Sequence, residues 1–261
     1  MRILFIGDIV GRPGRNAVKA LLPALKQDYK FDLTLANGEN MAAGIGMTYE
    51  KYQEMKEVGI DYFTGGNHTL AKKEFWPYLD DPNVSVLRPA NYEGALPGRG
   101  DVVLDVAGKK VHIINLVGRA FMKGDIGNYL DYADTILEAA EADIRIVDFH
   151  AEATSEKIIL ADYLDGKVTA VLGTHTHVPT ADTRILPKGT AFQTDIGMTG
   201  PLNSSLGAKI EPYYQFARFN TPALYKVASG PVTFNAVYLE IDDETNKVTK
   251  IERIQRQVDA S

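Results

Sequence analysis

The stretch RILFIGD, residues 2–8, decides the fold. It is an almost continuous apolar run that ends in one carboxylate, Asp8. A strand of this composition is buried on both faces, as in a sheet covered by further layers. The same pattern of an apolar run ending in polar groups returns at LTLANGEN (33–40), YFTGGNH (62–68), IVDFH (146–150) and VTAVLGTHTH (168–177).

Helical patterns and hairpin patterns alternate with these strands. We predict helices over 15–27, 49–58, 71–79 and 155–164 and a loop over 80–100, where proline and glycine cluster. Three hairpins are predicted over 102–117, 183–195 and 232–255, each with a turn sequence at its centre. The alternation predicts an α/β fold, a four-layer α-β-β-α sandwich of two mixed sheets in a single domain, 1–261.

Composition excludes several classes of protein. The 261 residues include no cysteine, so disulfides, thiolate ligands and a cysteine nucleophile are excluded, and a reducing cytoplasm is the predicted location. Asp8 interrupts the first apolar run, which is therefore not a signal peptide, and no run approaches the roughly 18 residues of a membrane span. A net charge of −6 argues against a broad nucleic-acid groove, although RNA stays open as a partner and a homo-oligomer is compatible with the sequence.

Polar side chains follow five of the predicted strands at the point where each strand ends. In layered α/β folds this edge is where sites are usually built. Taken singly each residue has an ordinary role, such as a helix cap at Asp8, a turn at Asn67 or a satisfied buried histidine at His150. Their coincidence predicts one shared site that contains Asp8, Glu39, Asn40, Asn67, His68, His150, His175 and His177.

The chemistry of these groups indicates metal ions. His175 and His177, two residues apart on an extended backbone, would point to one side of the strand. Mixed carboxylate, amide and imidazole ligands suit manganese, iron or zinc better than calcium or magnesium. The seven candidates other than His68 exceed the ligands of one tetrahedral ion, so we predict two ions bridged by Glu39. Such a centre attracts a phosphoryl group, and its bridging hydroxide is a nucleophile at neutral pH.

The motifs resemble those of a known family. GD at 7–8, GNH at 66–68, His150 and GTHTH at 173–177 look like motifs of the calcineurin-like metallophosphoesterases. The stretches 5–15, 36–48, 64–69, 147–157, 173–182 and 194–201 are, more narrowly, similar to YmdB-like bacterial phosphodiesterases. Val10 and Glu39 replace a histidine and an aspartate of the broad family, and both fit the narrower branch. Leu70 and Ala71 stand where the branch is expected to have Trp-Asp.

The resemblance implies ligand sets and an activity. Asp8, Glu39, Asn40 and His177 would hold one ion, whereas Glu39, Asn67, His150 and His175 would hold the other. The implied activity is hydrolysis of 2′,3′-cyclic, and also 3′,5′-cyclic, nucleotides with iron or manganese. His68 belongs to neither ligand set, so we assign it the role of the acid that protonates the leaving oxygen.

Other functions stay open at this point. The same ligands suit a phosphomonoesterase or a nuclease, since loops select the substrate. A nucleotide-sensing regulatory protein or a metal-free interaction domain is a further alternative. Among the weaker predictions, Arg12 and Arg15 are either phosphate contacts or solvated, Lys157 is a helix-surface charge, and Asp195 either supports the metal ligands or belongs to an ordinary turn.

Overall fold

The computed structural model describes residues 1–259, which form two β-sheets packed face to face between two layers of helices. The strands are β1 (Arg2–Ile6), β2 (Asp8–Ile9), β3 (Leu33–Asn37), β4 (Tyr62–Thr64), β5 (Asp101–Val106), β6 (Lys109–Val117), β7 (Ile144–His150), β8 (Ala170–Thr174), β9 (Arg184–Ile185), β10 (Ala191–Gln193), β11 (Met198–Pro201), β12 (Val232–Ile241) and β13 (Val248–Val258). The helices are α1 (Gly11–Tyr29), α2 (Tyr49–Val58), α3 (Trp76–Leu79), α4 (Tyr129–Ala139), α5 (Thr154–Leu164) and α6 (Glu211–Phe219).

Both sheets are mixed. The first has the order β2-β11-β12-β1-β3-β4, and β13 pairs with β12. Strands β1, β3 and β4 are parallel to each other, and β12 is antiparallel to β1. The second has the order β5-β6-β7-β8-β10-β9, in which β6, β7, β8 and β10 are parallel. The carboxyl ends of the parallel strands in each sheet therefore meet at one edge.

Three apolar cores explain the four layers. In β1, Ile3 and Phe5 point into the core between the two sheets, whereas Leu4 and Ile6 point to the core beneath α1 and α2. This alternation follows from the two-residue repeat of a strand, and it requires apolar side chains on both faces. The third core lies between the second sheet and helices α4 and α5. The predicted α-β-β-α arrangement is confirmed.

The local predictions are mostly confirmed. The three hairpins form where expected, as β5–β6, β9–β10 and β12–β13. Helix α1 begins at Gly11 rather than at residue 15, because Pro13 is tolerated in the first turn of a helix. No helix within the described residues 1–259 is both long and apolar enough to cross a bilayer.

The helix predicted over 71–79 is wrong in extent. Residues Lys73–Phe75 form a single 3₁₀ turn, and α3 is one turn long. Pro77 lies at the start of α3 and lacks the backbone N–H that a longer helix would need at this position. The chain at 71–72 is therefore free to continue the turn that follows His68, whose carbonyl accepts a hydrogen bond from the N–H of Ala71.

The core between the sheets yields a stability prediction. Phe5 is fully buried there, so Phe5→Ala should lower the free energy of unfolding by about 3–5 kcal/mol, measured by urea denaturation. Phe121→Ala is the matched control, because Phe121 is 88% exposed, and it should change stability by less than about 0.5 kcal/mol. Equal effects of the two substitutions would contradict the assignment of this core.

Candidate metal centre

All eight predicted site residues lie close together at the edge where the parallel strands of both sheets have their carboxyl ends. The first sheet contributes residues at or after β2, β3 and β4, and the second contributes residues at or after β7 and β8. Hydrogen bonds or close contacts join every member of the set to at least one other: Asp8, Glu39, Asn40, Asn67, His68, His150, His175 and His177.

One group of ligand atoms surrounds Nε2 of His150. They are Oδ1 of Asn67 at 3.0 Å, Nδ1 of His175 at 3.0 Å and Oε1 of Glu39 at 3.2 Å. Even with a proton on Nε2, this nitrogen could donate to only one of the three acceptors. A cation among them would satisfy all of their lone pairs at once. Glu39, His150 and His175 also place their ligand atoms within 4.8 Å of one another, as a shared ion requires.

A second group of ligand atoms also contacts Oε1 of Glu39. Asn40 Nδ2 is 3.3 Å from Glu39 Oε1 and 3.2 Å from His177 Nε2, and His177 Nε2 is 3.7 Å from Asp8 Oδ1. The side chain of Asp8 is fully buried, yet its Oδ1 has no hydrogen-bond partner among residues 1–259. A buried carboxylate oxygen without a donor is costly, so this atom fits a cation.

Each imidazole is oriented by a partner on its outer nitrogen. His150 Nδ1 lies 2.9 Å from Thr174 Oγ1, and His177 Nδ1 lies 2.9 Å from the carbonyl of Leu206. His175 Nε2 lies 3.0 Å from Glu152 Oε2. These hydrogen bonds assign the protons to the outer nitrogens, which leaves the inner lone pairs for a metal ion. The residues present therefore fit a metal centre.

The charges of the protein also favour a cation here. Burial opposes ionisation of Glu39, but the charge and hydrogen bond of His150 outweigh it and hold the pKa of Glu39 well below its usual range. Burial by itself lowers the pKa of His150, but the carboxylates of Glu39 and Asp8 outweigh burial and raise this pKa to about 9. Burial and the charge of His150 lower the pKa of His175 to about 3. The two buried carboxylates thus draw positive charge into the site, and His175 stays neutral.

The backbone of His175 and His177 is not extended, contrary to the prediction from the sequence. Strand β8 ends at Thr174, and His175 and His177 have positive φ angles of 98° and 67°. Their side chains converge because the backbone of both residues is left-handed, not because they lie on an extended strand. A left-handed conformation typically costs about 1–3 kcal/mol for each residue other than glycine. Carboxylates hold this turn, since the N–H of His175 donates to Asp8 and the N–H of Thr176 donates to Asp195.

Asp195 and Lys157 form a buried ion pair beneath this turn. Their charged atoms are 2.7 Å apart, and Lys157 Nζ also donates to the carbonyl of Thr174 at 2.8 Å. The prediction of Lys157 as a surface charge is wrong, because its side chain is buried. Lys157 shares its buried helix face with Leu160, Ala161 and Leu164, but the sequence does not single out this face, because the apolar Ile158 and Ile159 lie outside it and are exposed. Of its two predicted roles, the contact of Asp195 with Thr176 favours support of the metal-ligand residues, because that turn carries His175 and His177.

Asp148 is a further buried residue that the sequence prediction omitted. It lies two residues before His150 in β7, so both side chains point to the same face of the strand. Its Oδ1 accepts a hydrogen bond of 2.7 Å from Thr174, and its Oδ2 accepts one of 3.2 Å from Asn37. Burial raises the pKa of Asp148 to about 6. Asp148 therefore fixes the hydroxyl that orients His150.

Position 66 requires glycine for a steric reason. A Cβ atom at this position would lie 2.3 Å from the ring of His150 and 2.4 Å from Glu39 Oε2. The GGNH turn can therefore approach the ligand atoms only with glycine at position 66. His112, in contrast, is remote from this group; its Nε2 pairs with Asp101 at 2.8 Å in the second sheet.

Comparison with known proteins identifies the family. The sequence profile described as "YmdB-like protein" matches residues 4–254. The chain belongs to this YmdB-like family.

A relative from Bacillus subtilis (strain 168), named 2′,3′-cyclic-nucleotide 2′-phosphodiesterase, is 49% identical, and the match covers 97% of this chain and 96% of the relative. A crystal structure described as a phosphatase from Mycoplasma pneumoniae is 36% identical, with a TM-score of 0.94, and the match covers 100% of this chain and 94% of that one. The calcineurin-like phosphoesterase YfkN of Bacillus subtilis is 14% identical, with a TM-score of 0.60, over 98% of this chain and 90% of that one. That likeness confirms the metallophosphoesterase fold.

The buried ion pair of the YmdB-like chain yields a second prediction. Lys157→Met leaves Asp195 as an uncompensated buried charge, so the free energy of unfolding should fall by about 3–5 kcal/mol. The control is Lys167→Met, because Lys167 is half exposed and its ion pair with Asp134 spans 3.6 Å; the expected loss is below about 1 kcal/mol. Urea denaturation measures both. A loss of stability in Lys157→Met no greater than in the control would show that the pair does not support the turn.

Proposed function

We propose that this protein is a phosphodiesterase that depends on two metal ions and hydrolyses 2′,3′-cyclic nucleotides. The observation that carries the proposal is the arrangement of two groups of ligand atoms that share Glu39, beside a cavity of about 270 Å³ that His68 also lines. The name of the Bacillus subtilis relative supports the choice of substrate. Hydrolysis of 3′,5′-cyclic nucleotides is proposed as a second activity of the same site.

The distances support the ligand sets that the resemblance implies. Asp8, Glu39, Asn40 and His177 would hold one ion, and Glu39, Asn67, His150 and His175 would hold the other. Asn40 joins its set with the side-chain amide turned over, because its nitrogen is the atom on the His177 side. We propose iron or manganese ahead of zinc for this mixed donor set. When bound by these residues, the two ions would supply a nucleophilic water and would neutralise charge on the phosphoryl oxygens.

His68 is proposed as the general acid. Its backbone N–H donates to Glu39 Oε2 at 2.8 Å, and its Nδ1 lies 2.8 Å from Asn40 Oδ1. With the Asn40 amide turned over, its Nδ2 donates to His68 Nδ1, so the proton of the ring lies on Nε2, the nitrogen left to act in the cavity. When water adds to phosphorus, the bond from phosphorus to the ribose 2′-oxygen breaks. His68 gives its proton to that oxygen, and the product is the 3′-phosphate.

The inter-sheet core joins both ligand-bearing sheets, so we propose that residues 1–261 act as one domain. A cysteine-free chain is suited to the cytoplasm, where we place the enzyme. The description of the Mycoplasma pneumoniae protein as a phosphatase makes a phosphomonoester the substrate to compare.

The test of the proposed function combines metal analysis with turnover. We expect elemental analysis to find two metal ions per chain and the loaded protein to prefer 2′,3′-cyclic AMP over 4-nitrophenyl phosphate. Glu39→Gln keeps the size of the side chain but removes the shared charge, so metal content should fall below one ion per chain. Preferred hydrolysis of the monoester would favour a phosphatase, and nucleotide binding without turnover would favour a sensor.

The role of His68 has its own test. His68→Ala should retain both metal ions but lose about 10²–10⁴-fold in kcat on 2′,3′-cyclic AMP, since acid catalysis is lost. A substrate whose leaving group needs no protonation, such as bis(4-nitrophenyl) phosphate, should lose far less. Metal loss in His68→Ala, or equal losses on both substrates, would contradict the assignment.

A further inference from the structure

A groove adjoins the cavity of the metal centre. The cavity and the groove share one residue, Tyr225, which lines both. The groove has a volume of about 610 Å³. It shares Arg12 and Ser229 with a further cavity of about 390 Å³ that reaches Asn16. The three spaces therefore lie next to one another, from the metal centre to the amino-terminal part of α1.

The groove is basic in an otherwise acidic protein. Arg12, Arg15, Lys51 and Lys226 line it, and none of its lining residues within the described 1–259 is acidic. Arg15 is buried, and its guanidinium donates hydrogen bonds to Glu54 at 2.9 Å and to the carbonyl of Met41. These bonds exclude Arg15 as a phosphate contact.

Two of the cations are free to bind an anion. Lys51 lies 2.8 Å from Glu50 and 3.6 Å from Glu54, so its charge is largely compensated. Arg12 and Lys226 are exposed, and within residues 1–259 neither has a carboxylate at ion-pair distance. With a net charge of −6 for the whole chain, these two side chains form a local positive site beside the metal centre.

Tyr225 lies between the cavity and the groove and lines both. Its ring packs against Gly44, which has a φ of 89°, and a Cβ atom there would lie 2.4 Å from the ring. Burial raises the pKa of Tyr225 to about 12, so the phenol is neutral and able to donate a hydrogen bond. Tyr213 lines the same cavity from α6, a helix without buried side chains. Aromatic rings at the mouth of a basic groove are typical of single-stranded nucleic-acid sites.

We propose that the groove binds the phosphate backbone of RNA whose 3′ end carries a 2′,3′-cyclic phosphate. The inference rests on the proposed function, because the terminal cyclic phosphate must occupy the metal centre. Such ends arise whenever a 2′-hydroxyl attacks the adjacent phosphodiester of an RNA strand. The terminal nucleotide is joined through its 5′-oxygen to the preceding phosphate, and the strand enters the groove past Tyr225, the residue that lines both spaces. Arg12 and Lys226 then pair with the preceding phosphates.

The reaction on this substrate is the one proposed for the mononucleotide. Water adds to the terminal phosphorus, the bond from phosphorus to the 2′-oxygen breaks, and that oxygen takes a proton. The RNA retains a 3′-phosphate and gains a free 2′-hydroxyl. The groove adds binding of the chain rather than chemistry, so its effect should appear mainly in KM.

The test compares two substrates on the full-length, manganese-loaded protein. The substrates are 2′,3′-cyclic AMP and a tetraadenylate that ends in a 2′,3′-cyclic phosphate. We expect a higher kcat/KM on the oligonucleotide, and this preference should fall roughly sevenfold when salt rises from about 50 to about 200 mM, as two phosphate contacts on a single strand require. The double substitution Arg12→Ala/Lys226→Ala should reduce the preference on the order of tenfold.

A matched control removes the same charge elsewhere. Lys188→Ala/Lys247→Ala changes two exposed lysines near residues 166–169, which precede β8 at the opposite edge of the sheets, and should leave the preference unchanged. A wild-type protein without preference for the oligonucleotide, or a preference equally reduced in both double variants, would overturn the inference and leave the proposed function intact.

A binding measurement separates the two proposals. Fluorescence anisotropy of a labelled tetraadenylate with a 3′-phosphate reports the groove without any turnover. Weaker binding by Arg12→Ala/Lys226→Ala than by the control supports the groove even if no cyclic phosphate is hydrolysed, in which case the proposed function fails alone. Equal binding by the two variants would show that the groove does not hold RNA.

Discussion

The carboxylate of Glu39 is the constraint on which the site depends. It is buried between two groups of ligand atoms, and an unpaired charge in such a place is strongly unfavourable. The protein surrounds it with imidazoles and amides whose inner nitrogens and oxygens cannot all be satisfied by each other. A second buried carboxylate, Asp8, increases the demand for positive charge. The fold thus concentrates negative charge and lone pairs at one point, where divalent cations are the matching partners.

The residues that position the ligand side chains surround the metal centre without belonging to it. Thr174 and Asp148 orient His150, and the pair of Lys157 and Asp195 holds the turn that carries the two neighbouring histidines. Each of these residues is buried, and each makes at least one hydrogen bond to a strand end or a turn. Precise placement of metal ligands depends on such outer partners, which fix ring orientation and basicity.

Much of the fold and of the candidate site can be predicted from sequence, for identifiable reasons. Apolar strands ending in Asp8, Glu39 or His150 reveal both the layered sheets and the edge where the side chains meet, because strand period and burial are local properties. The positive φ angles of His175 and His177 were not predictable, since two carboxylates from distant parts of the chain impose them. The burial of Lys157 was not predictable from helix spacing either, because apolar residues occur on more than one face of α5 and the partner Asp195 is distant in the chain.

Other features depend on distant contacts that no local pattern records. Arg12 and Lys226 lie far apart in the chain, and only the packing of the segment around Tyr225 against the 42–48 loop brings them to one groove. The one-turn length of α3 follows from Pro77, a local signal that a purely apolar reading of 71–79 overlooks.

The division of the ligands between the sheets has a mechanical consequence. Asp8, Glu39 and Asn67 belong to one sheet, whereas His150, His175 and His177 belong to the other. Ions bound by both groups would cross-link the two halves of the sandwich, in a chain without a cysteine to do so covalently. Metal binding should therefore also raise the melting temperature of the protein, because a ligand that binds only the native state stabilises that state.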